Sequence, residues 1–133
     1  MSATDPHVRP RRSLLFVPAL RPDRYLKALE VGADIVCIDM EDAVAIDRKD
    51  EGRAATLPLF RERTHPNVEK MVRINGLSTY HGLKDLQALV DSDAPPESIM
   101  IPKIRSAEEV QLIDTILSTG AARAIRFCVI IET

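Results

Sequence analysis

The sequence predicts an α/β fold in which helices cover a sheet of parallel strands. Short apolar runs recur along the chain, and each is separated from the next by a stretch whose apolar residues have helical spacing. The runs are apolar almost throughout instead of alternating with polar residues, which is typical of strands buried on both faces of a parallel sheet. Two architectures have this pattern: an open doubly wound sheet and a closed (β/α)₈ barrel.

Five of these runs are predicted to be strands, because polar residues, glycine or proline bound each of them. They cover residues 13–17, 34–39, 70–74, 98–101 and 125–131. An eight-unit barrel takes about 250 residues, so five strands in 133 residues amount to a little over half of one. If the sheet is a barrel, we therefore expect the chain to be a fragment of it.

Helices are predicted between these strands, as parallel pairing requires. The first begins at Pro22, a residue favoured in a first helical turn, and ends before Gly32, which suits a C-terminal cap. The last begins at Ser106, because Glu109 follows it at the spacing of a capping box. The two helices between them are predicted at residues 47–63 and 83–90.

The composition is that of a packed globular protein, with 45% hydrophobic and 29% charged residues. A formal net charge of −2 offers no basic surface for nucleic acid. No apolar run approaches the roughly 20 residues that a membrane-spanning helix needs. We therefore expect no nucleic-acid partner, no membrane association and a cytoplasmic location. The alternative location is an organelle, if Arg9, Arg11 and Arg12 belong to a targeting segment.

Polar and charged side chains follow the predicted strands at their carboxyl ends, where ligands bind in parallel α/β folds. They are Asp39, Glu41 and Asp42 after the second strand, Arg73 at the end of the third, Lys103 after the fourth and Glu132 after the fifth. We expect these side chains to converge on one rim of the sheet. This rim is the candidate site.

Arg73 and Glu132 have the most specific chemical uses at this rim. The planar guanidinium of Arg73 suits a substrate carboxylate, and its alternative role is a salt bridge to Asp39 or Glu41. Glu132 follows a strand of bulky hydrophobic residues, where a carboxylate is costly to bury unless a cation pairs with it. A hard divalent ion such as Mg²⁺ suits such a carboxylate.

The other residues of the rim have several possible roles each. The carboxylates of Asp39, Glu41 and Asp42 can support a metal site, orient Arg73 or act as the base. Asp42 fits the N-terminal cap of a helix equally well. Lys103 is either structural or in contact with substrate.

Five motifs stand in order along the chain. They are RSLLFVP at residues 12–18, IDMEDAV at 38–44, VRIN at 72–75, IPK at 101–103 and IIET at 130–133. Together they resemble the motifs of the citrate lyase β-subunit-like or HpcH/HpaI aldolase family, which includes malyl-CoA and citramalyl-CoA lyases. The resemblance covers nearly the whole chain and implies a (β/α)₈ TIM barrel, of which this chain holds the first five strands. It implies that residues 12–133 are the N-terminal part of a single, truncated barrel domain, preceded by a tail of residues 1–11.

The resemblance implies a Mg²⁺-dependent carbon–carbon lyase. Such an enzyme cleaves a 3-hydroxy-3-carboxyacyl thioester of the citryl, malyl or citramalyl type into an acyl-CoA and a 2-oxo acid. It implies that Arg73 clamps the carboxylate of the 2-oxo acid, that Glu132 ligates the metal, and that Phe16, Arg21 and Lys27 bind the thioester. It also implies a homo-oligomer, either a trimer or a hexamer.

The family's second metal-ligating aspartate follows a sixth strand, which these residues do not contain. We therefore expect the 133-residue chain to be inactive by itself. The main alternative function is that of a noncatalytic subunit of the same fold that binds a thioester or a 2-oxo acid. The acyl group and its carrier, coenzyme A or an acyl-carrier protein, stay open, because the motifs do not distinguish them.

Overall fold

The computed structural model describes residues 8–120 and 124–132, which contain five strands and four α-helices. The strands are β1 (Leu14–Pro18), β2 (Ile35–Asp39), β3 (Glu69–Arg73), β4 (Ser98–Ile101) and β5 (Arg126–Val129). The helices are α1 (Pro22–Ala28), α2 (Lys49–Thr56), α3 (Tyr80–Asp91) and α4 (Ala107–Leu117). None of these helices combines the length and the apolarity needed to cross a membrane.

All five strands are parallel, and their order across the sheet is β1-β2-β3-β4-β5. Each strand therefore lies beside its neighbour in the sequence. A doubly wound sheet reverses its strand order at a switch point, whereas a barrel adds every new strand on the same side. Of the two predicted architectures, the structure has the strand order of the barrel.

The register of the strands separates two apolar clusters on opposite faces of the sheet. The larger cluster lies under the helices and includes Val17, Val36, Ile38, Val72, Ile99 and Ile101 from the strands with Tyr25, Phe60, Leu89 and Ile113. The smaller cluster, on the face that lines the interior of a barrel, consists of Ile35, Cys37, Met71 and Met100. Fully burying one such side chain contributes about 1.5–3 kcal/mol, so the helix-covered face supplies most of the hydrophobic stabilisation.

The helices differ from the sequence prediction in their boundaries. The single helix predicted at 47–63 is interrupted, because Pro58 has no N–H to continue the α-helical pattern and a 3₁₀ segment, Leu57–Arg61, follows α2. Helix α3 begins earlier than predicted, since Thr79 caps it by accepting a hydrogen bond from the Gly82 N–H at 3.0 Å. Helix α1 ends at Ala28 with Leu29 as its C-terminal cap, so Gly32, with a φ of 90°, lies in the turn that follows and is not the cap that the sequence predicts.

The capping box predicted for α4 is wrong, although the helix begins where expected. The side chain of Ser106 makes no capping hydrogen bond. Glu109 accepts a hydrogen bond from the backbone N–H of Arg105 at 2.8 Å instead. The fifth strand is also shorter than predicted, because pairing with β4 stops at Val129.

Three arginines before β1 lie along the amino edge of the sheet, and we call them the arginine clasp. The ion pairs are Arg12–Asp34, Arg11–Glu69 and Arg9–Glu97, with nitrogen–oxygen distances of 3.1, 3.0 and 2.6 Å. Their acidic partners stand at the beginnings of β2, β3 and β4, so the clasp spans three strands. Residues 9–11 of the predicted tail thus contact the sheet, while residues 1–7 lie outside the described residues.

Helix α3 approaches the preceding loop so closely that only glycine fits at position 82. A Cβ atom there would lie 2.0 Å from the carbonyl oxygen of Gly76. Because that oxygen belongs to the backbone, the helix itself must move, and overpacking of this kind costs about 1–3 kcal/mol. We expect Gly82→Ala to lower the free energy of unfolding by about 2 kcal/mol, measured by urea denaturation.

The matched control for this substitution is Gly76→Ala. A Cβ atom at position 76 would meet only the Cγ2 atom of Thr79, at an ordinary contact distance of 3.8 Å. The control is therefore expected to leave the denaturation midpoint close to that of the unchanged chain. Equal midpoints for the two variants would contradict the close approach of α3 to its loop.

Candidate functional site

The predicted rim forms where β2, β3 and β4 end, and Arg73 lies at its centre. Asp39 and Arg73 are register partners on neighbouring strands. Nε and Nη2 of Arg73 donate to the two carboxylate oxygens of Asp39 at 2.8 and 2.6 Å. Both side chains are largely buried, with exposed fractions of 15% for Arg73 and 6% for Asp39. The salt bridge considered as the alternative role of Arg73 is therefore present.

Asp39 is an orienting carboxylate, because each of its oxygens accepts a second hydrogen bond from the backbone. The donors are the N–H groups of Glu41, at 2.9 Å, and Ala43, at 3.1 Å. Burial raises the pKa of Asp39, but the hydrogen bonds from Arg73 and these N–H groups outweigh it, so that the pKa lies below its ordinary value. A carboxylate that is held ionised by four donors is a poor base.

The lowered pKa of Asp39 makes this pair sensitive to acid. Because the pKa of Asp39 is lower in the folded state than in the unfolded state, where it is about 3.9 for aspartate, the ionised carboxylate stabilises the fold at pH values above the unfolded pKa. This stabilisation is lost as the pH falls through the folded-state pKa. We expect Asp39→Asn to lower the free energy of unfolding at pH 7 by about 2 kcal/mol. Below pH 4 the difference in melting temperature between the two proteins should shrink, and a constant difference from pH 7 to pH 2.5 would contradict this.

Two further residues, Phe16 and Glu41, lie beside the guanidinium of Arg73. The ring of Phe16 lies 5.0 Å from the guanidinium carbon, a cation–π contact that holds the guanidinium plane. The third nitrogen, Nη1, is 3.6 Å from Oε1 of Glu41, which is longer than a hydrogen bond. Nη1 is thus the guanidinium nitrogen best placed to donate to a bound carboxylate.

Glu41 is the most unusual side chain of the rim. Its side chain is only 7% exposed, and both carboxylate oxygens are buried without a hydrogen-bond partner among residues 8–120 and 124–132. Two cations lie beside it, since Nζ of Lys103 is 3.3 Å from Oε2 and Arg73 is on the other side. A buried carboxylate whose oxygens lack donors is suited to accept a hydrogen bond from a ligand or to face a metal ion.

Lys103 contributes a positive charge to the rim from a strained backbone. Its φ of 56° lies in the left-handed region, which costs a residue other than glycine about 1–2 kcal/mol. The Glu41 carboxylate raises the pKa of Lys103, and Asp42 and Glu132 act in the same direction at longer range. Three carboxylates and one lysine therefore share this side of the rim.

Two expectations for the acidic residues are wrong. Glu132 was expected to be buried at the end of a strand, but β5 ends at Val129 and Glu132 is exposed. Burial therefore gives no argument for a metal at this carboxylate. Asp42 does not cap a helix either, because it is exposed in a loop and the residue preceding α2 is Arg48.

The described residues do not form a metal site by themselves. In that part of the chain, no three histidine, cysteine, aspartate or glutamate side chains come close enough together to hold a metal ion. The oxygen atoms of Glu41, buried and without donors, and the exposed carboxylate of Glu132 are the hard donors that Mg²⁺ prefers. Because Mg²⁺ takes six oxygen ligands and keeps several waters, these donors fit an incomplete ligand set.

The three residues assigned to the thioester are separated in the structure. Phe16 is half-exposed and contacts Arg73 at the rim. Arg21 lies just before α1, where it donates to Asp23 at 3.0 and 2.8 Å in an exposed ion pair. Lys27 is exposed in the last turn of α1. The structure therefore brings Phe16 to the candidate site and leaves Arg21 and Lys27 on the surface beside it.

A cavity of about 410 Å³ opens beside Glu41, between the loops that follow β2 and β3. Its lining includes Asp42, Lys49, Asn75 and Lys103. This cavity next to the rim is large enough for a small organic acid to bind in it.

Sequence reasoning missed two buried charged residues that support this site. Nζ of Lys49 donates to the carbonyl oxygens of Met40, at 3.0 Å, and Glu41. Asp85 accepts hydrogen bonds from the N–H and the side-chain amide of Asn75 at 2.7 and 2.8 Å. Asp85 had a signal in the sequence, because it lies four residues before Leu89 on the buried face of α3. Lys49 stands within a charged stretch and had none.

Comparison with known proteins shows a family that matches this chain. The model of the HpcH/HpaI aldolase/citrate lyase family matches residues 12–132. Citramalyl-CoA lyase, mitochondrial, of Homo sapiens is 34% identical over 102 residues, covering 77% of this chain and 30% of that protein. L-malyl-CoA/beta-methylmalyl-CoA lyase of Cereibacter sphaeroides is 33% identical over 134 residues, covering 96% of this chain and 42% of that protein. The chain thus spans less than half the length of these curated relatives.

Solved structures agree with this match. The chain superposes with a TM-score of 0.65 and 32% identity on the protein CitE from Mycobacterium tuberculosis in complex with magnesium, acetoacetate and coenzyme A, covering 90% of this chain and 41% of that one. The citrate lyase beta subunit of the same organism, complexed with oxaloacetate and magnesium, gives a TM-score of 0.63 at 28% identity, with 90% and 59% covered. The five-stranded parallel fold and the motifs at its strand ends place this chain in the HpcH/HpaI aldolase/citrate lyase family.

Proposed function

We propose that this chain is the N-terminal part, residues 12–133, of a barrel enzyme that cleaves a carbon–carbon bond in a 3-hydroxy-3-carboxyacyl-CoA thioester of the malyl or citramalyl type. The products are an acyl-CoA and a 2-oxo acid. The observation that carries the proposal is the guanidinium of Arg73, which Asp39 and Phe16 orient and whose Nη1 lies 3.6 Å from Oε1 of Glu41, beyond hydrogen-bond distance. The similarity of the chain to two proteins named as lyases of citramalyl-CoA and malyl-CoA also supports the proposal.

Arg73 binds the carboxylate that ends up in the 2-oxo acid. Its hydrogen bonds to Asp39 raise the pKa of the guanidinium, so that it stays protonated throughout the reaction. Because Asp39 occupies Nε and Nη2 on one side, the group cannot rotate, and Nη1 meets the substrate in one orientation. Arg73 thus fixes the substrate relative to the bond that breaks.

Glu41 is the carboxylate that we assign to the substrate hydroxyl. Asp39 has no acceptor position left for the hydroxyl, and Asp42 is exposed to water. The oxygens of Glu41 are buried without donors among the described residues, so they can accept the hydroxyl proton. As that proton leaves, the oxygen becomes the carbonyl of the 2-oxo acid, and the electrons of the broken carbon–carbon bond pass into the thioester enolate, which a proton then converts to the acyl-CoA.

Mg²⁺ is the proposed cofactor, and Glu132 its proposed ligand in this chain. When bound, the ion stabilises negative charge on the hydroxyl and carboxylate oxygens of the substrate. Lys103 lies among Glu41, Asp42 and Glu132 and moderates the repulsion between these carboxylates.

The thioester end of the substrate is assigned to the surface beside the rim. Phe16 packs on the cofactor, and the cations of Arg21 and Lys27 bind its phosphates. Arg21 would exchange the carboxylate of Asp23 for a phosphate, which the exposure of this pair permits. An acyl-carrier protein in place of coenzyme A, a trimeric or hexameric assembly and a cytoplasmic location stay predictions.

The deciding experiment is a lyase assay on the full-length protein that carries this chain. Malyl-CoA and citramalyl-CoA are supplied with Mg²⁺, and the 2-oxo acid is trapped as its phenylhydrazone and followed by absorbance. We expect product in the presence of Mg²⁺ and loss of the signal with EDTA. Binding of acetyl-CoA or glyoxylate without cleavage would instead identify a noncatalytic binding subunit and overturn the proposed activity.

A further inference from the structure

The loop that follows β2 is fixed from two opposite sides. On one side, the carboxylate of Asp39 accepts the N–H groups of Glu41 and Ala43. On the other side, Nζ of Lys49, the first residue of α2, donates to the carbonyl oxygens of Met40 and Glu41. N–H groups of the loop therefore face Asp39, which pairs with Arg73, and carbonyl oxygens of the loop face Lys49.

The lysine that makes these bonds is buried. Lys49 is only 8% exposed, and burial lowers its pKa, while the carboxylates of Asp85, Asp39, Glu41 and Asp42 act in the opposite direction. Burying an ammonium group is costly unless hydrogen bonds satisfy it. Both hydrogen bonds of this ammonium end on the same loop, so its burial and the conformation of the loop depend on each other.

We propose that Lys49 is a positioning residue that holds the loop after β2 in the conformation in which Asp39 orients Arg73. Lys49 is part of the lining of the cavity beside Glu41, but its ammonium group donates to the carbonyl oxygens of residues 40 and 41, and in this assignment it acts through that backbone. Without its ammonium group, the carbonyl oxygen of Met40 loses this donor and that of Glu41 keeps the N–H of Val44, at 3.2 Å, so the loop is held less tightly. The N–H of Glu41 then leaves Asp39, and the guanidinium loses one of the constraints that fix its plane.

The chain contains a matched control for this proposal. Lys70 is 6% exposed, and its Nζ also donates to two backbone carbonyl oxygens, those of His65 at 2.9 Å and Val68 at 3.1 Å. Burial lowers its pKa as well. Lys70 lies near the amino end of β3, at the opposite edge of the sheet from the site. It therefore matches the proposed residue in burial and in its two backbone acceptors, and differs from it in location and in an ion pair with Glu97 at 3.8 Å.

The first test is amide hydrogen exchange, followed by NMR, in Lys49→Met, Lys49→Arg and Lys70→Met. We expect the amides of Glu41 and Ala43 to exchange about tenfold faster in Lys49→Met than in Lys70→Met, and Lys49→Arg to restore slow exchange. Equal exchange in the two methionine variants would overturn the proposal. Acceleration spread evenly over all strands would also overturn it, because that pattern indicates a loss of global stability.

The second test concerns turnover and rests on the proposed function. In the full-length protein, Lys49→Met is expected to raise KM for the thioester about tenfold, with a smaller change in kcat, whereas Lys70→Met leaves both constants near those of the unchanged enzyme. An unchanged KM together with faster exchange at residues 41 and 43 would show that the loop does not position Arg73. If the unchanged protein cleaves no thioester, the proposed function fails, and the exchange comparison still decides the role of Lys49.

Discussion

Arg73→Ala is expected to reduce kcat/KM for thioester cleavage by about a thousandfold. Removing one partner of a buried, charged hydrogen-bonded pair costs about 2–5 kcal/mol, and each 1.4 kcal/mol corresponds to a factor of ten in rate. The guanidinium has two partners, the buried carboxylate of Asp39, to which it donates, and the half-exposed ring of Phe16, on which it stacks. The measurement is the initial rate of 2-oxo acid release as a function of thioester concentration.

Two further variants separate loss of the clamp from loss of folding. Arg73→Lys keeps a positive charge beside Asp39 but lacks the planar fork, so we expect stable protein with most of the activity lost. Arg48→Ala removes an exposed arginine that pairs with Glu51, and it should retain full activity. If Arg73→Ala cleaved thioesters with unchanged kinetics, the assignment of this arginine to the substrate carboxylate would be wrong.

Asp85→Ala is expected to lower the free energy of unfolding by about 3–5 kcal/mol. The carboxylate is fully buried and accepts a hydrogen bond from Nε of Arg53 at 2.7 Å, in addition to the two from Asn75. Removing it leaves the largely buried guanidinium of Arg53 with the exposed carboxylate of Asp50 in place of two carboxylates, and it takes the acceptor from a buried backbone N–H. Urea denaturation, with the m-value compared between the proteins, measures the effect.

Asp93→Ala is the control for this large loss. Asp93 pairs with Arg61 on the surface, where both side chains are more than half exposed, and exposed pairs of this kind contribute little to stability. Its denaturation midpoint should match that of the unchanged chain. A small effect of Asp85→Ala, comparable to that of the control, would show that Arg53 and Asn75 find other partners.

The sequence was most informative about the strands and the ends of the strands. Buried parallel strands are apolar on both faces, so the polar residue that ends each run also marks the end of the strand, as at Asp39 and Arg73. Because adjacent parallel strands end at the same edge, residues 34 positions apart in the chain could be expected to meet. The structure confirms that meeting.

Partnerships within the site were less predictable. Whether Arg73 forms a salt bridge with Asp39 depends on a distance of a few ångströms between the two side chains. The spacing of the two residues in the sequence does not determine that distance. Lys49 can be buried because its ammonium group donates to backbone carbonyl oxygens of the loop after β2, and the sequence does not show where those oxygens lie. The exposure of Glu132 follows from the end of strand pairing at Val129, although the apolar run continues beyond it.

The arginine clasp determines how the chain tolerates shortening and fusion at its amino end. A chain that begins at Ser13 loses all three guanidinium groups, and within the part of the chain that the structure describes buried Glu69 then keeps only the hydroxyl of Ser98 as a donor. A chain that begins at Val8 keeps every pair. Fusion partners and affinity tags are therefore best attached ahead of Arg9, where they leave three neighbouring strands held together at their beginnings.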